Sequence, residues 1–324
     1  MEKLLITGST GFVGKNLIRE LSQNTDYEIH VMERYVTGRM TNYTNCQKEM
    51  VNITDLASVR HLIKTLKPSY VINLAAISPV SYSYDHPLEV IENNLLGSVN
   101  LAESCRIENP YFRQFITAST SEVYGMLLKN SKHKLHESGI TNEYGIKSEA
   151  PPQPNSPYAV AKYSFDKYLE FMGMAYDFPY TIMRPFNTYG RLDNDHFFIE
   201  SAMRQMISGK DKIELGEKES MRDWIYVDDH VRAYLNVIAN EKATGHIFNF
   251  GTGVGYSMEE SIKILSEIAD FNGKVLWGMI PRRPVDAKIL ISDSSKAGGH
   301  LDWRPKYDFK MGLEKLFGNM TRQE

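Results

Sequence analysis

Apolar residues fall along this chain in two alternating rhythms. Short unbroken runs such as Leu4-Leu5-Ile6 and Tyr70-Val71-Ile72 have the length of strands buried on both faces. Between them lie stretches with apolar positions three and four apart, as in Val13, Leu17, Ile18 and Leu21, the spacing of one helix face. The pattern predicts strands over 3–7, 27–33, 69–76 and 112–117, and helices after the first strand, over 55–66 and over 87–107. Further on it predicts a helix from Ser156-Pro157, a strand over 178–184, a helix near 197–208 and another running through Leu235. A return strand over 247–250 and an amphipathic helix over 257–269 follow. Ser257 and Glu260 form a plausible capping box for that helix. Strand–helix alternation without repeats predicts an α/β fold, a doubly wound parallel Rossmann sheet. The expected division is a dinucleotide-binding domain over 1–185, with 223–255 returning to it. Residues 186–222 and 256–324 then form a smaller interleaved lobe over the carboxyl end of the sheet.

Residues 126–156 break the rhythm. Lys, His, Ser, Asn and Pro dominate there, so a long surface excursion is expected. A solvated excursion and a lid over a substrate both remain open.

Composition narrows the field. The chain has 324 residues, 42% hydrophobic and 24% charged, with ample core for a globular fold. A net charge of −3 and a pI near 6.3 argue against a duplex nucleic-acid binder, which needs a basic face. Cys46 and Cys105 make neither a disulfide framework nor a metal spacing, which fits a reducing compartment and no metal. The first residues enter a strand directly, and no apolar run approaches the roughly 18 residues of a membrane helix. The expectation is a soluble, cytoplasmic protein with no membrane or nucleic-acid partner.

Candidate chemistry sits at the strand ends. Gly8-Ser9-Thr10-Gly11-Phe12-Val13-Gly14 joins the first strand to the first helix. Glycines there let the backbone approach a pyrophosphate, and the helix N-terminus adds N–H groups and a positive dipole. Glu33, about 20 residues on, suits the ribose hydroxyls of an adenosine and repels a 2′-phosphate. Arg34 beside it is able to accept that phosphate, so NAD is favoured and NADP stays open. Small residues in Asn73-Leu74-Ala75-Ala76 leave room for a cofactor.

Ala118-Ser119-Thr120-Ser121-Glu122-Val123-Tyr124-Gly125 gathers hydroxyls, a carboxylate and a phenol at one strand end. In open parallel sheets ligands bind at that edge. Ser156 is a good N-cap and Pro157 fits the first helical position. Tyr158 and Lys162, four apart, then share a helix face. An ammonium beside a phenol favours the phenolate and makes the Tyr usable as a base.

With these residues in view, the chain resembles an extended short-chain dehydrogenase/reductase of the nucleotide-sugar epimerase/dehydratase family, essentially end to end. The resemblance rests on Gly8-x-x-Gly11-x-x-Gly14, Asn73 to Ala76, Asn94 with Gly97, Thr120 to Gly125 and Tyr158-x-x-x-Lys162. It is extended by Arg184-Pro185-Phe186-Asn187-x-Tyr189-Gly190, Arg222-Asp223-Trp224 and Arg283-Pro284-x-Asp286. It implies that Tyr158 and Lys162 handle the sugar hydroxyl proton and the nicotinamide ribose, helped by Thr120. The glycine loop, Glu33, Arg34, Asn52, Ile53, Leu74, Ala75, Ala76, Asn94 and Pro185 would line the dinucleotide. Asn187, Arg191, Arg222 and Arg283 would hold the substrate, chiefly its diphosphate, since arginines pair with phosphate bidentately. Ser78 would face the sugar.

Thr120-Ser121-Glu122 is the discriminator within the family. It is similar to GDP-mannose 4,6-dehydratases and to UDP-glucuronate decarboxylases, whereas dTDP-glucose dehydratases carry Asp where Ser121 stands. The implied reaction is a nucleotide-sugar 4,6-dehydration. Tyr158 takes the C4 hydroxyl proton as hydride passes to NAD(P), Glu122 removes the C5 proton, and water leaves C6 with help from Glu122 or Ser121. The hydride then returns at C6. A 4-epimerase or a decarboxylase of the same family is the alternative, and a non-catalytic dinucleotide sensor a remote one. The resemblance also implies a homodimer through helices near 88–107 and 157–174.

Overall fold

The computed structural model describes all residues except 25–26, 35–45, 128–144, 195, 282 and 323–324. The first strand, β1 (Lys3–Thr7), leads into helix α1 (Phe12–Asn24) and strand β2 (Glu28–Glu33). Strand β3 (Cys46–Met50) was not expected: its Cys-Gln-Lys-Glu-Met is polar because it is an outer strand with an open edge. Next come α2 (Leu56–Leu66), β4 (Tyr70–Asn73), α3 (Val80–Asp85) and α4 (Pro87–Ile91). Asp55 starts α2, accepting from the Ser58 N–H (3.3 Å) and hydroxyl (2.6 Å).

The helix expected over 87–107 is not uniform. A π-helical turn, Glu92–Gly97, separates α4 from α5 (Ser98–Glu108). Such turns are local insertions that re-aim side chains. Here it buries Asn94, whose amide accepts from the Ile77 N–H (2.8 Å) and donates to the Ile77 carbonyl (3.0 Å). Then follow β5 (Gln114–Ala118), a 3₁₀ turn at Ser121–Tyr124, α6 (Pro157–Tyr176), β6 (Tyr180–Pro185) and β7 (Asn187–Tyr189). Most of the excursion after Tyr124 lies outside the described residues. Its return is anchored, because Ile146 bridges Ser292 in parallel.

The remaining elements are α7 (Phe198–Ile207), β8 (Lys212–Glu214), β9 (Met221–Tyr226), α8 (Val227–Val237) and β10 (His246–Phe250). After them come β11 (Gly255–Ser257), α9 (Met258–Ile268), β12 (Lys274–Leu276) and β13 (Ile289–Leu290). The chain closes with α10 (Ser295–Leu301) and α11 (Phe309–Thr321). The Ser257–Glu260 capping box of α9 is present as expected.

Seven strands form one sheet in the order β10-β6-β5-β4-β1-β2-β3, every pair parallel. Alternate residues feed two apolar layers. Leu4 and Ile6 pack with Leu17, Ile18 and Leu21, while Leu5, Val71 and Phe115 pack with Val59, Ile63 and Leu101. Burial on both faces is why the strands read as continuous apolar runs, and the fold is the doubly wound Rossmann type.

The chain leaves this sheet at Pro185 and enters a smaller one two residues later, where β7 pairs β9 and β9 lies between β11 and β13. Asp223 ties that sheet together. Its carboxylate accepts from Thr252 N (2.8 Å) and Oγ1 (2.6 Å), Gly253 N (2.9 Å) and Ser292 Oγ (2.6 Å). The Pro185–Asn187 crossing thus stands between the two sheets, beside the carboxyl ends of β1, β4 and β5.

Candidate active site

A cavity of about 460 Å³ opens at those strand ends. One wall is the glycine loop. Gly8 has φ +69°, and a Cβ there would stand 2.8 Å from the Leu74 carbonyl carbon and the Ala75 nitrogen. A Cβ on Gly14 would run into the Gly8 carbonyl oxygen. The loop is therefore pressed between α1 and the β4 end, with the α1 N-terminus at the cavity. Gly8→Ala is expected to cost at least about 1–2 kcal/mol from the left-handed backbone alone. Urea melts and the NAD content of the purified protein check it; unchanged stability and content would contradict this packing.

Thr7 supports the same wall, its Oγ1 accepting from Leu74 N (3.1 Å) and Ala75 N (3.0 Å) and donating to Asn73 Oδ1 (2.8 Å). Glu33 is buried, and its carboxylate accepts from the Ser9 hydroxyl, from Thr10 N (3.0 Å) and from Thr10 Oγ1 (3.0 Å). It braces the glycine loop from behind. Arg34 beside it is exposed.

The opposite wall is the β5 end. Thr120 caps the 3₁₀ turn, accepting from Glu122 N (3.2 Å), and its hydroxyl also meets the Tyr158 phenol. Ser156 caps α6, accepting from Ala159 N (3.1 Å), with Pro157 following. Tyr158 and Lys162 both line the cavity and are 8% and 3% exposed. The expected direct pairing is altered. Lys162 Nζ donates to the Ala118 carbonyl (2.7 Å), and burial pushes Tyr158 up to about 12, opposed by Thr120 and Arg191. Burial likewise draws Lys162 down to about 8. In a dry site the loss of solvation outweighs the neighbouring charge.

Glu122 lines the cavity at 7% exposure, and one of its oxygens, Oε2, is buried with no hydrogen-bond partner among the described residues. A buried carboxylate oxygen left unpaired is costly. Its charge is felt at Tyr158 on one side and at Tyr84, Arg222 and Arg283 on the other. Arg222 and Arg283 converge on Asp286, at 3.2 Å and 2.5 Å from its Oδ1. Burial lowers Arg222; for Arg283, Glu122 and Asp286 outweigh burial and raise it.

Of the residues expected at the site, Gly8, Gly11, Phe12, Val13, Gly14, Leu74, Ala76, Ser78, Thr120, Ser121, Glu122, Tyr158, Lys162, Pro185, Asn187 and Arg191 line the cavity. Others stand back from it. Asn94 spends its amide on Ile77; Asn52 accepts from Thr54 N (3.2 Å); Ile53 is core, packed where Gly97 leaves space. Arg191, expected to bind substrate, lines the cavity. It lies over the Phe12 ring (4.2 Å) and the Phe197 ring (3.6 Å) and donates to the Thr188 carbonyl (2.6 Å), bracing the glycine loop.

Thr188, Glu200, His230 and Tyr234 also line the cavity and were not expected there. His230 meets Thr188 Oγ1 (3.0 Å) and is drawn down to about 3 by burial and then by Arg191, so it stays neutral. Val227-Asp228-Asp229-His230 opens helix α8. Its polar residues divide three ways: Asp228 pairs with Lys315 (2.6 Å), Asp229 ties down Lys306 and Tyr307, and His230 stands at the cavity.

Fold and site define a dinucleotide-binding protein of the extended short-chain dehydrogenase/reductase type. Residues 5–316 match the model of the GDP-mannose 4,6 dehydratase family, and the chain belongs to that family. The dTDP-glucose 4,6-dehydratase of Salmonella typhimurium is 26% identical, over 97% of this chain and 91% of its own. Among solved structures, the UDP-glucose 4-epimerase of Thermotoga maritima with UDP-glucose has a TM-score of 0.86 at 29% identity, covering 99% of both chains. The Thermus thermophilus UDP-glucose 4-epimerase complex with NAD scores 0.82 at 26% identity, over 98% of this chain and 99% of that one.

Proposed function

We propose that this protein is a nucleotide-sugar 4,6-dehydratase working with bound NAD(P). Glu122 carries the reading: a buried carboxylate with an unpaired oxygen stands at the cavity beside Tyr158, where a 4-epimerase needs no such base. The glycine loop fits a dinucleotide, since the three glycines are the positions where a side chain would meet backbone. When bound, NAD(P) supplies the hydride acceptor and donor and, in its oxidised form, a positive ring that counters the burial of a Tyr158 phenolate.

Tyr158 removes the C4 hydroxyl proton, with Thr120 holding the phenol oxygen and Lys162 supplying positive charge. Glu122 removes the proton at C5, acidified by the 4-keto group. Glu122 or Ser121 then protonates the C6 hydroxyl as it leaves. Ser78 faces the sugar, and Asn187, Arg222 and Arg283 take the diphosphate. Glu33 at the glycine loop supports NAD over NADP. Residues 1–185 with 223–255 would hold the dinucleotide, and 186–222 with 256–324 the substrate.

The decarboxylase alternative needs a cation for a C6 carboxylate. Lys162 and Arg191, which line the described cavity, donate to backbone carbonyls, and Arg222 and Arg283 near Glu122 are paired with Asp286. The experiment is a mass-spectrometric screen of the NAD-loaded protein against GDP-, UDP-, dTDP- and CDP-hexoses without added reductant. A product lighter by one water supports the reading; an isomer of equal mass or released CO2 overturns it.

A cytoplasmic homodimer is part of the same proposal. No described helix is long and apolar enough to cross a membrane. The α4–α6 region exposes Leu88 (81%), Met174 (82%), Leu96 and Phe171, a large apolar display for a monomer. Light scattering is expected to give twice the chain mass, and Met174→Asp to shift it toward one; a wild-type monomer would contradict the proposal.

A further inference from the structure

Behind the cavity wall lies a buried charge cluster that the proposed steps do not use. Asp166, 1% exposed, sits one helical turn beyond Lys162 on α6. Its Oδ2 accepts three hydrogen bonds, from Ser119 Oγ (2.8 Å), Arg184 Nε (3.0 Å) and Arg184 Nη2 (2.9 Å), while Oδ1 has no partner. Arg184 reaches on to the Tyr124 hydroxyl (2.9 Å) and the Ser148 carbonyl (3.3 Å). The Tyr124 hydroxyl donates to Asn249 Oδ1 (2.9 Å). One carboxylate thus joins the catalytic helix to the end of β5 and, through Arg184, to β6 and β10.

Lys162 is in a harder position than its place in the Tyr158 motif suggests. Its ammonium is buried and donates to one neutral acceptor, the Ala118 carbonyl. Such a group gives up its proton readily unless a negative charge stands close. The charged and titratable groups facing Asp166 are Lys162 and Tyr158 on its own helix, Arg184 from β6 and Tyr124 from the 3₁₀ turn. Burial raises the Asp166 carboxyl, whereas Arg184, Ser119 and Lys162 hold it down. Three donors converging on Oδ2 fit a carboxylate. A carboxylic acid would need an acceptor for its own proton, and Oδ1 meets none. Two cations share this one anion, so the cluster keeps a positive balance beneath the place where Tyr158 must lose its proton.

We propose that Asp166 is a positioning residue of this site: it fixes the Ser119–Thr120 strand end against α6 and supplies the countercharge that keeps Lys162 an ammonium. The proposal rests on the reading of Tyr158 and Lys162 as the proton-handling pair. Removing the charge while keeping the shape separates this role from plain packing, because packing alone does not move the titration of Lys162.

The test is a ¹⁵N-lysine NMR titration of the NAD-loaded protein, with the Lys162 signal assigned by its loss in Lys162→Met. Asp166→Asn is expected to lower the Lys162 midpoint by about 1–3 pH units, the usual effect of one close opposite charge, with NAD content retained. An unchanged midpoint overturns the proposal. Should Asp166→Asn not fold, the wild-type titration decides: Lys162 remains an ammonium at neutral pH, and a neutral amine there overturns the proposal. Full turnover by Tyr158→Phe would instead remove the functional reading and leave the Lys162 titration as it was.

Discussion

Glu122→Gln is expected to leave the protein folded and loaded with NAD while turnover falls by about 10²–10⁴-fold, the usual worth of one general acid–base group. The substitution keeps the side-chain shape, removes the charge and puts an amide NH2 donor in place of one carboxylate oxygen. Losing the charge relieves a burial cost but gives up its attraction to Arg222 and Arg283, so only a modest change in stability is expected. The loss should fall on one step. Tyr158 still takes the C4 proton, so a 4-keto sugar forms on the protein and stays there, its C5 proton in place. Rapid quench with mass spectrometry checks this. Full activity in Glu122→Gln, or a collapse of NAD binding, would contradict the role given to Glu122.

Tyr158→Phe should fail one step earlier, with a loss of the same order and no keto sugar formed at all. The two variants are therefore distinguishable by what accumulates. The pH dependence follows from the environment of the phenol. Burial raises it, so the proton is held more firmly and the base form gains as pH rises. The wild-type rate should accordingly climb with pH across the neutral range, and Tyr158→Phe should lose that climb. A Tyr158→Phe enzyme with the wild-type profile would show that another group takes the proton. Its stability is expected to change little, because the phenol bonds Thr120, which keeps its bond to Glu122 N.

Much of this is legible in the amino-acid sequence. Strands buried on both faces have to be apolar throughout, so β1, β4 and β5 declared themselves, and their order around the glycine loop followed from strand–helix alternation. The capped start of α6 put Tyr158 and Lys162 on one face because Ser156 and Pro157 permit little else. Strand β3 was not legible: an outer strand has one unpaired edge and less apolar cover, and Cys-Gln-Lys-Glu-Met carries no strand pattern. Nor was the π turn, since its effect is on Asn94, whose amide turns inward to hold Ile77 where a cofactor contact was expected.

Charge placement was the least legible feature. Lys162 next to Tyr158 reads as a simple pair, yet Lys162 meets the Ala118 carbonyl and its countercharge comes from Asp166. His230 is hidden for a related reason. An imidazole beside apolar helix positions reads as core, and only the meeting of β7 with α8 brings it beside Thr188 at the cavity. These are contacts between distant segments, which periodicity within a segment does not report.

One carboxylate, Glu122, turns a transient C4 oxidation into loss of water. The most direct measurement uses a nucleotide sugar deuterated at C4, taken from the screen, and follows the label by NMR. The expected product is a 4-keto-6-deoxy sugar with the deuterium in the C6 methyl group and a solvent proton at C5. Deuterium returned to C4 of an unreduced hexose, with the C4 configuration inverted and C6 still hydroxylated, would contradict it.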